Sequence, residues 1–201
     1  MVATYQGDYG RATGLIGAFS GYESNQGPLI VRNLLGRNAV NGIVVRGETL
    51  TTQSVWDDTD IVHVVQSEIT VPNFHTYGGL RLNSAPDASL VVKLSGANAG
   101  FTAGGKPLDI DDRIGGVLQI VGQPYFPVIL TSLADDTVGA GFGLDGLPLK
   151  DTNANGPSTG TAGAWRSLMI SQYAHDRNVE VYNERETTSA TAPGTNATAR
   201  L

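Results

Sequence analysis

Short apolar runs separated by turn-forming residues dominate the stretch from Leu90 to Ile170, and they constrain the fold more than any other feature. Each run is rich in valine, isoleucine and leucine, and glycine, asparagine, aspartate or proline follows it. Runs of this kind are typical of β-strands, and the whole chain holds about ten of them. No window has the apolar spacing of an amphipathic helix. The sequence therefore predicts an all-β fold.

The predicted strands are short and are separated by turn residues. The segment between residues 95 and 115 is interpreted as a glycine-rich linker, because glycine is depleted in strands. The strands are Leu29–Val31, Ile43–Val45, Asp60–Gln66, Glu68–Pro72, Gly79–Asn83, Ser89–Leu94, Gly115–Gly122, Pro127–Ser132, Arg166–Ile170 and Asn178–Asn183.

The composition agrees with many turns and few charges. The chain has 26 glycines and 9 prolines in 201 residues, and charged residues make up 16%, against about a quarter in a typical soluble domain. A net charge of -6 without a lysine and arginine cluster argues against nucleic acid and against an anionic membrane surface. Cysteine is absent, which excludes disulfides and thiolate metal sites. No apolar run is long enough for a transmembrane helix. Acidic chains without cysteine that are rich in threonine, asparagine and glycine are common among bacterial surface proteins, so we expect a secreted or cell-surface bacterial protein.

Two all-β architectures fit this pattern. A β-sandwich would need regular hairpins with short connections. A right-handed parallel β-helix, which is a solenoid of short strands, tolerates a long loop because each coil contacts the coils above and below it. The long polar loop 135–164 favours the β-helix, and the β-sandwich is the alternative.

The segments predict one main domain. Residues 1–27 are rich in glycine and tyrosine and are expected to form a first coil or cap. Residues 28–186 are expected to form the β-helix, with the long loop 135–164 inserted in it. Residues 187–201 have almost no apolar bulk to bury, so they are predicted to be a disordered tail or linker.

Two stretches carry a more specific pattern. In residues 31–45 an aliphatic strand, an asparagine turn and Gly42-Ile-Val-Val follow one another. In residues 116–170 a strand ending in Leu130-Thr-Ser leads to an Asp-Asp loop, an Asp/Asn/Gly-rich insertion and a return at tryptophan. These stretches resemble right-handed parallel β-helix segments of very large repetitive secreted proteins of bacteria such as planctomycetes and cyanobacteria. The resemblance covers about residues 28 to 183 and implies a stalk or adhesin-like segment without a catalytic set. The chain departs from the pattern at Ala164, where an aspartate is frequent.

A calcium-type motif lies inside the long loop. The sequence Asp-Thr-Asn-Ala-Asn-Gly at residues 151–156 matches the first half of a calcium loop, which places oxygen ligands around a glycine turn. The closing glutamate is missing, because Ala162 stands at its position. An ordinary turn held by side-chain-to-backbone hydrogen bonds is the alternative. The predicted Ca2+ ligands are Asp151, Asn153, Asn155, Asp135, Asp136 and Asp145.

Other polar groups predict weaker sites. The segment Asp57-Asp58-Thr-Asp60 could bind a cation or act as an acid/base pair in glycan cleavage, or be a solvated corner. In the segment that begins at Asp109, the residues Asp111, Asp112 and Arg113 are candidates for the calcium-and-arginine arrangement of β-helix polysaccharide lyases, with a local Asp–Arg pair as the alternative.

Aromatic and histidine side chains add little. Trp165 and Tyr125 are a candidate platform for carbohydrate, or an apolar cover where the loop leaves and returns. The spacing of His63, His75 and His175 does not indicate a zinc site. Alternation with its valine neighbours predicts that His63 points outward.

The sequence favours a non-enzymatic structural or adhesive module, stabilised by calcium and able to assemble end to end through open β-edges. Its expected partners are further copies or adjacent modules, and an extracellular glycan. The alternatives are a carbohydrate-active β-helix, either lyase or hydrolase, and a carbohydrate-binding module. The enzyme alternative requires the three aspartate clusters to converge on one groove.

Overall fold

A computed structural model describes residues 28, 30–50, 54–73, 79–105, 113–175, 177–181 and 197–200. Over these ranges the chain forms strands and turns without a helix, so the all-β prediction is confirmed. The strands are β1 (Leu34–Leu35), β2 (Ile43–Val45), β3 (Ser54–Trp56), β4 (His63–Val65), β5 (Glu68–Val71), β6 (Gly79–Asn83), β7 (Val91–Leu94), β8 (Gly96–Ala103), β9 (Arg113–Ile114), β10 (Val117–Val121), β11 (Ile129–Ser132), β12 (Phe142–Gly143), β13 (Trp165–Ile170), β14 (Arg177–Val181) and β15 (Ala197–Arg200).

Three parallel sheets take their strands from the chain in a repeating order. Sheet 1 is β10-β6-β3, sheet 2 is β11-β7-β4-β2 and sheet 3 is β13-β8-β5. The successive strands β3, β4 and β5 visit sheets 1, 2 and 3, and β6, β7 and β8 then do the same. The strands β10, β11 and β13 repeat that order a third time. Equivalent residues therefore stack in columns, for example Ile69, Phe101 and Leu168 in sheet 3.

The apolar interior lies between the three sheets. Each sheet contributes fully buried side chains, such as Leu82 from sheet 1, Leu94 from sheet 2 and Phe101 from sheet 3. Burying a side chain of this size contributes about 1.5–3 kcal/mol, so every added set of three strands extends a continuous core.

The long loop covers the outer face of sheet 2. Val62, Val64 and Val91 on that face are buried against Leu133 and Ala140, which belong to the chain after β11. Within the loop, β12 pairs in parallel with β1 near the start of the described chain. The loop is therefore a layer packed on the sheet, and both faces of sheet 2 have apolar residues packed against them.

The largest error of the sequence prediction concerns β8. The residues interpreted as a linker form the longest strand described, of eight residues. Gly100 faces Ser167 of β13, and a Cβ atom there would collide with the Ser167 carbonyl oxygen. Small residues lower strand propensity, yet this close approach of two backbones requires one.

Other differences are local. Val31 is not in a strand, and the first strand among the described residues is β1, three residues later. Arg177–Val181 pairs antiparallel with both β9 and β15, outside the three parallel sheets. Strand β15 falls in the segment 187–201, so four residues of the predicted tail are in a strand. Across the described residues no helix has the length and apolar character of a membrane span.

His63 points inward, so the prediction that it faces outward is wrong. It is 3% exposed, and its ring stacks on Trp56 at a centroid distance of 5.1 Å and an angle of 12°. Alternation cannot assign the faces of a strand whose two faces are both covered by apolar residues.

Candidate functional site

A buried lysine lies where the long loop meets sheet 2. The Lys93 side chain in β7 is 0% exposed, and in register it stacks between Val64 and Thr131. Its Nζ donates a hydrogen bond to the Lys150 carbonyl oxygen at 2.7 Å and lies 3.8 Å from Asp136 Oδ1. An ammonium buried without partners is very costly, so the loop has to supply both groups to make this position tenable.

The electrostatics around Lys93 couple it to the acidic residues of the loop. Burial lowers the pKa of Lys93, and the negative charges of Asp136, Asp135 and Asp151 oppose that effect. Three of the predicted calcium ligands therefore act on an ammonium that belongs to the chain itself. Lys93 was not among the predicted site residues. A lysine inside an apolar strand does indicate a buried ion pair, because a fully buried lysine needs a partner.

Asp151 and Asn155 form a hydrogen-bonded turn. The Asp151 carboxylate accepts hydrogen bonds from the backbone N–H of Asn155 at 3.2 Å and of Gly156 at 2.9 Å. The Asn155 Oδ1 atom lies 3.3 Å from the Ser158 hydroxyl, whose closest acceptor is the Ala134 carbonyl oxygen at 2.6 Å. This is the geometry of the alternative interpretation, an Asp/Asn turn held by side-chain-to-backbone bonds. In the same turn, Asn153 Oδ1 is buried without a hydrogen-bond partner.

The remaining predicted ligands are also engaged by nearby donors. Asp135 accepts from the Thr131 hydroxyl at 2.6 Å and from the Thr137 N–H and hydroxyl at 3.0 and 2.6 Å. These bonds, the Thr131 bond above all, lower the pKa of Asp135. Asp145 accepts from the Leu147 N–H at 3.0 Å. Within the described ranges, no three His, Asp or Glu side chains are grouped to hold a metal ion. Calcium binding to the loop stays a prediction.

Calcium binding would have a measurable effect on stability. At a hundredfold excess over its Kd, calcium would add about 2.7 kcal/mol to the unfolding free energy. Asp151→Ala removes two backbone hydrogen bonds with or without calcium, so its melting midpoint alone decides nothing. The decisive quantity is the difference in midpoint between calcium and chelator, which Asp151→Ala should abolish and the exposed control Asp87→Ala should keep. Equal midpoints of the unmodified protein in calcium and in chelator would contradict calcium binding.

The aspartate cluster before β4 holds the start of the described chain. Asp58 Oδ1 accepts a hydrogen bond from the Ile30 N–H at 3.1 Å, and Asp60 Oδ2 accepts from the Arg32 N–H at 2.9 Å. Burial, and then the neighbouring Asp58 charge, raise the pKa of Asp57. The cluster therefore works as a corner that ties a distant segment to sheet 2.

Trp165 and Tyr125 have different surroundings. Trp165 is half-buried and packs against the core. Tyr125 is 97% exposed, in a left-handed conformation with φ of 67°, inside the turn closed by Gln123 and Phe126. The ring contacts recorded in the described chain are those of Trp56 with His63 and with Phe101, and neither candidate takes part in them. Trp165 therefore fits the apolar cover, whereas Tyr125 does not.

A second charged cluster that the sequence analysis missed spans sheet 3. Arg166 Nη2 donates hydrogen bonds to Glu68 Oε1 at 2.6 Å and to Thr102 Oγ1 at 2.7 Å, and Thr102 donates to Glu68 at 2.5 Å. These bonds, the Thr102 bond first, lower the pKa of Glu68. The three residues come from β13, β5 and β8, so the cluster clamps three neighbouring strands.

The other candidates are dispersed or lie beyond the described ranges. His175 Nε2 accepts a hydrogen bond from the Leu118 N–H at 3.3 Å, whereas His63 is in the core. Arg113 is described as part of β9 by its backbone alone. Asp109, Asp111, Asp112 and His75 lie outside the described residues. Comparison of the chain with protein-family models, with curated proteins and with solved structures finds no match.

Proposed function

We propose that this chain is a non-enzymatic parallel β-helix module of an extracellular bacterial protein and that it assembles end to end. Support for the β-helix comes from the repeated visits of the chain to three parallel sheets around one core. Support for an extracellular setting comes from the acidic, cysteine-free composition and from the family resemblance of residues 28 to 183.

The observation that carries the assembly proposal is an open end of the core. The last strands of the three sheets, β10, β11 and β13, each have one neighbour among the described residues. The inward columns of β10 and β13 end on Ile120, Leu168 and Ile170, which are 39%, 37% and 57% exposed, whereas Leu118 of β10 and Ser132 of β11 stay buried. One strand earlier in the columns of the exposed residues, the side chains are 0% exposed: Leu82, Phe101 and Ala103. Among the described residues, the interior is therefore continuous up to this end and is partly uncovered there.

The opposite end offers complementary strands. There sheets 1 and 2 end on β3 and β2, and sheet 3 ends on β5, which residues 48–50 pair in parallel at Thr70. Val45 and Leu50 pack against the core at this end. Edge strands present unpaired backbone groups, and parallel stacking of a second copy on β10, β11 and β13 would satisfy them. A head-to-tail contact of this kind leaves one free end on each side, so it generates filaments rather than closed dimers.

Assembly is tested by replacing an inward residue at the open end. We expect the unmodified protein to form species whose mass increases with concentration in analytical ultracentrifugation, because stacking covers the apolar end. Ile170→Glu should shift the distribution to monomer, because the new charge would be buried between copies. Leu147→Glu is a matched control, since Leu147 is 64% exposed on the long loop away from the strand ends. A monomer at every concentration of the unmodified protein would contradict the proposal.

The carbohydrate-active alternatives have less support. In the described aspartate clusters, Asp58 and Asp60 accept hydrogen bonds from the Ile30 and Arg32 N–H groups, and Asp135 accepts one from the Thr137 N–H, whereas Asp57 Oδ1 is buried without a hydrogen-bond partner. Carboxylates engaged in this way hold structure and are not poised for glycan cleavage. The exposed Tyr125 ring is the feature that favours glycan binding, and loss of binding in Tyr125→Ala on a glycan array would support that second candidate.

A further inference from the structure

The contact between Lys93 and Asp136 joins an amine and a carboxyl group in a dry, crowded setting. We propose that Lys93 Nζ and the Asp136 side chain condense to an intramolecular amide that ties the long loop covalently to sheet 2. The inference concerns the loop alone and does not depend on end-to-end assembly.

The two carboxylate oxygens of Asp136 have unlike surroundings. Oδ2 accepts a hydrogen bond from the Ser158 backbone N–H at 2.9 Å. The Ser158 hydroxyl also lies 2.9 Å from Oδ2, but its single proton has a closer acceptor, the Ala134 carbonyl oxygen at 2.6 Å. Oδ1 is buried without a hydrogen-bond partner and lies 3.8 Å from Lys93 Nζ, which is beyond hydrogen-bond distance. One oxygen is thus held by a backbone donor, and the other faces the amine.

The amine is held in place as well. Its hydrogen bond to the Lys150 carbonyl oxygen fixes the nitrogen, and Thr131 and Val64 flank it in the sheet. The Asp136 side chain is 9% exposed and that of Lys93 is 0% exposed, so bulk water has little access to the pair. Holding two reactants in contact in this way replaces a bimolecular encounter by a unimolecular step.

Condensation needs a neutral amine and an uncharged carboxyl group. Transfer of one proton from Nζ to Oδ1 provides both and removes two charges from a buried site. Burial penalises charged forms, and it lowers the pKa of Lys93, which favours this transfer. Opposing it, the charges of Asp135 and Asp151 stabilise positive charge on the nitrogen, including the charge it gains during attack.

The bonds and protons balance without a further reactant. The nitrogen lone pair attacks Asp136 Cγ, and the negative charge that develops on Oδ2 is stabilised by the Ser158 backbone N–H, as by a donor of an oxyanion hole. The nitrogen then gives up a second proton to Oδ1, the bond from Cγ to Oδ1 breaks, and Oδ1 leaves as water. An ammonium and a carboxylate thus become one amide and one water molecule.

Mass spectrometry of the full chain under denaturing conditions tests the proposal directly. The measured mass should be lower than the sequence mass by one water molecule. Trypsin should leave a branched peptide that joins the segments containing Lys93 and Asp136, with no cleavage after Lys93. A folded, unmodified protein with its full sequence mass would overturn the proposal.

Variants separate the roles of the residues. Lys93→Arg and Asp136→Ala should both show their full sequence masses, whereas Lys150→Arg should still lose water, because Lys150 acts through its backbone carbonyl. Ser158→Ala keeps the backbone N–H that donates to Oδ2, so freshly refolded protein should still form the link. A folded Ser158→Ala protein that keeps its full sequence mass would contradict the oxyanion role of this backbone donor.

Discussion

Lys93→Met should lower the unfolding free energy by about 3–5 kcal/mol, the cost of breaking a buried ion pair by removing one partner. The substitution leaves Asp136, which is 9% exposed, without the positive charge that faces it. It also leaves the Lys150 carbonyl oxygen without its donor at 2.7 Å. The loss is expected whether the pair is ionic or condensed to an amide, and urea denaturation at neutral pH measures it.

A second substitution distinguishes lost charge compensation from lost packing. In the double variant Lys93→Met with Asp136→Asn, the neutral amide keeps an acceptor for Ser158 but carries no uncompensated charge. Part of the lost stability should therefore return. Lys150→Met is the matched control, because it removes a lysine side chain of the same loop and keeps the carbonyl contact. A loss below about 1 kcal/mol in Lys93→Met would place the pair with weak surface contacts.

Acidification should destabilise the protein through His63. Burial lowers the pKa of His63 to about 4, against a backbone hydrogen bond at Ile61 that raises it. The unfolded chain takes up a proton near pH 6.5, and the folded chain does so near pH 4. Stability is therefore complete above pH 6.5 and is lost as the pH falls toward 4, by about 3 kcal/mol in total.

His63 gives the main slope between pH 6.5 and pH 5. Glu68 and Asp135 have lowered pKa values, so they stay ionised in the folded protein and add slope only toward the lower end, where unfolded carboxylates begin to take up protons. The raised pKa of Asp57 acts with the opposite sign. One proton gives a slope of about 1.4 kcal/mol per pH unit near the lower end of the window. His63→Phe keeps an aromatic ring against Trp56 and removes the titrating group, so most of the slope should be lost over this window. An equal slope in both proteins would show that another group is responsible.

The short apolar runs were sufficient to predict an all-β fold, because β-branched residues bounded by turn residues have a local preference for β-strands. They did not predict β8, since the glycine that lowers its strand propensity is required by contact with β13, far along the chain. They also misassigned His63, because period-two alternation assigns faces when one face is polar, and both faces of sheet 2 are covered.

The sequence predicted only part of the candidate site, because the other part depends on contacts between distant segments. Loop 135–164 was identified by its acidic residues, and the structure does place Asp135, Asp136 and Asp151 around one positive charge. That charge comes from Lys93, a residue of the preceding sheet whose neighbours in sequence are all apolar. The partner of the loop is thus set by packing between distant segments, which a local motif does not encode.

A stack of similar parallel strands does not by itself fix where a covering segment binds along the stack, and the buried lysine supplies that information. In sheet 2 one outward column runs through Val44, Val64, Lys93 and Thr131, and its valines look alike to a covering segment. A layer held by apolar contacts alone could slide by one strand spacing at small cost, because each step offers nearly the same surface. One lysine in the column makes these positions different, because only one of them pairs the loop carboxylates with an amine. The acidic loop then packs at one position along the stack, the position that places its carboxylates beside Lys93.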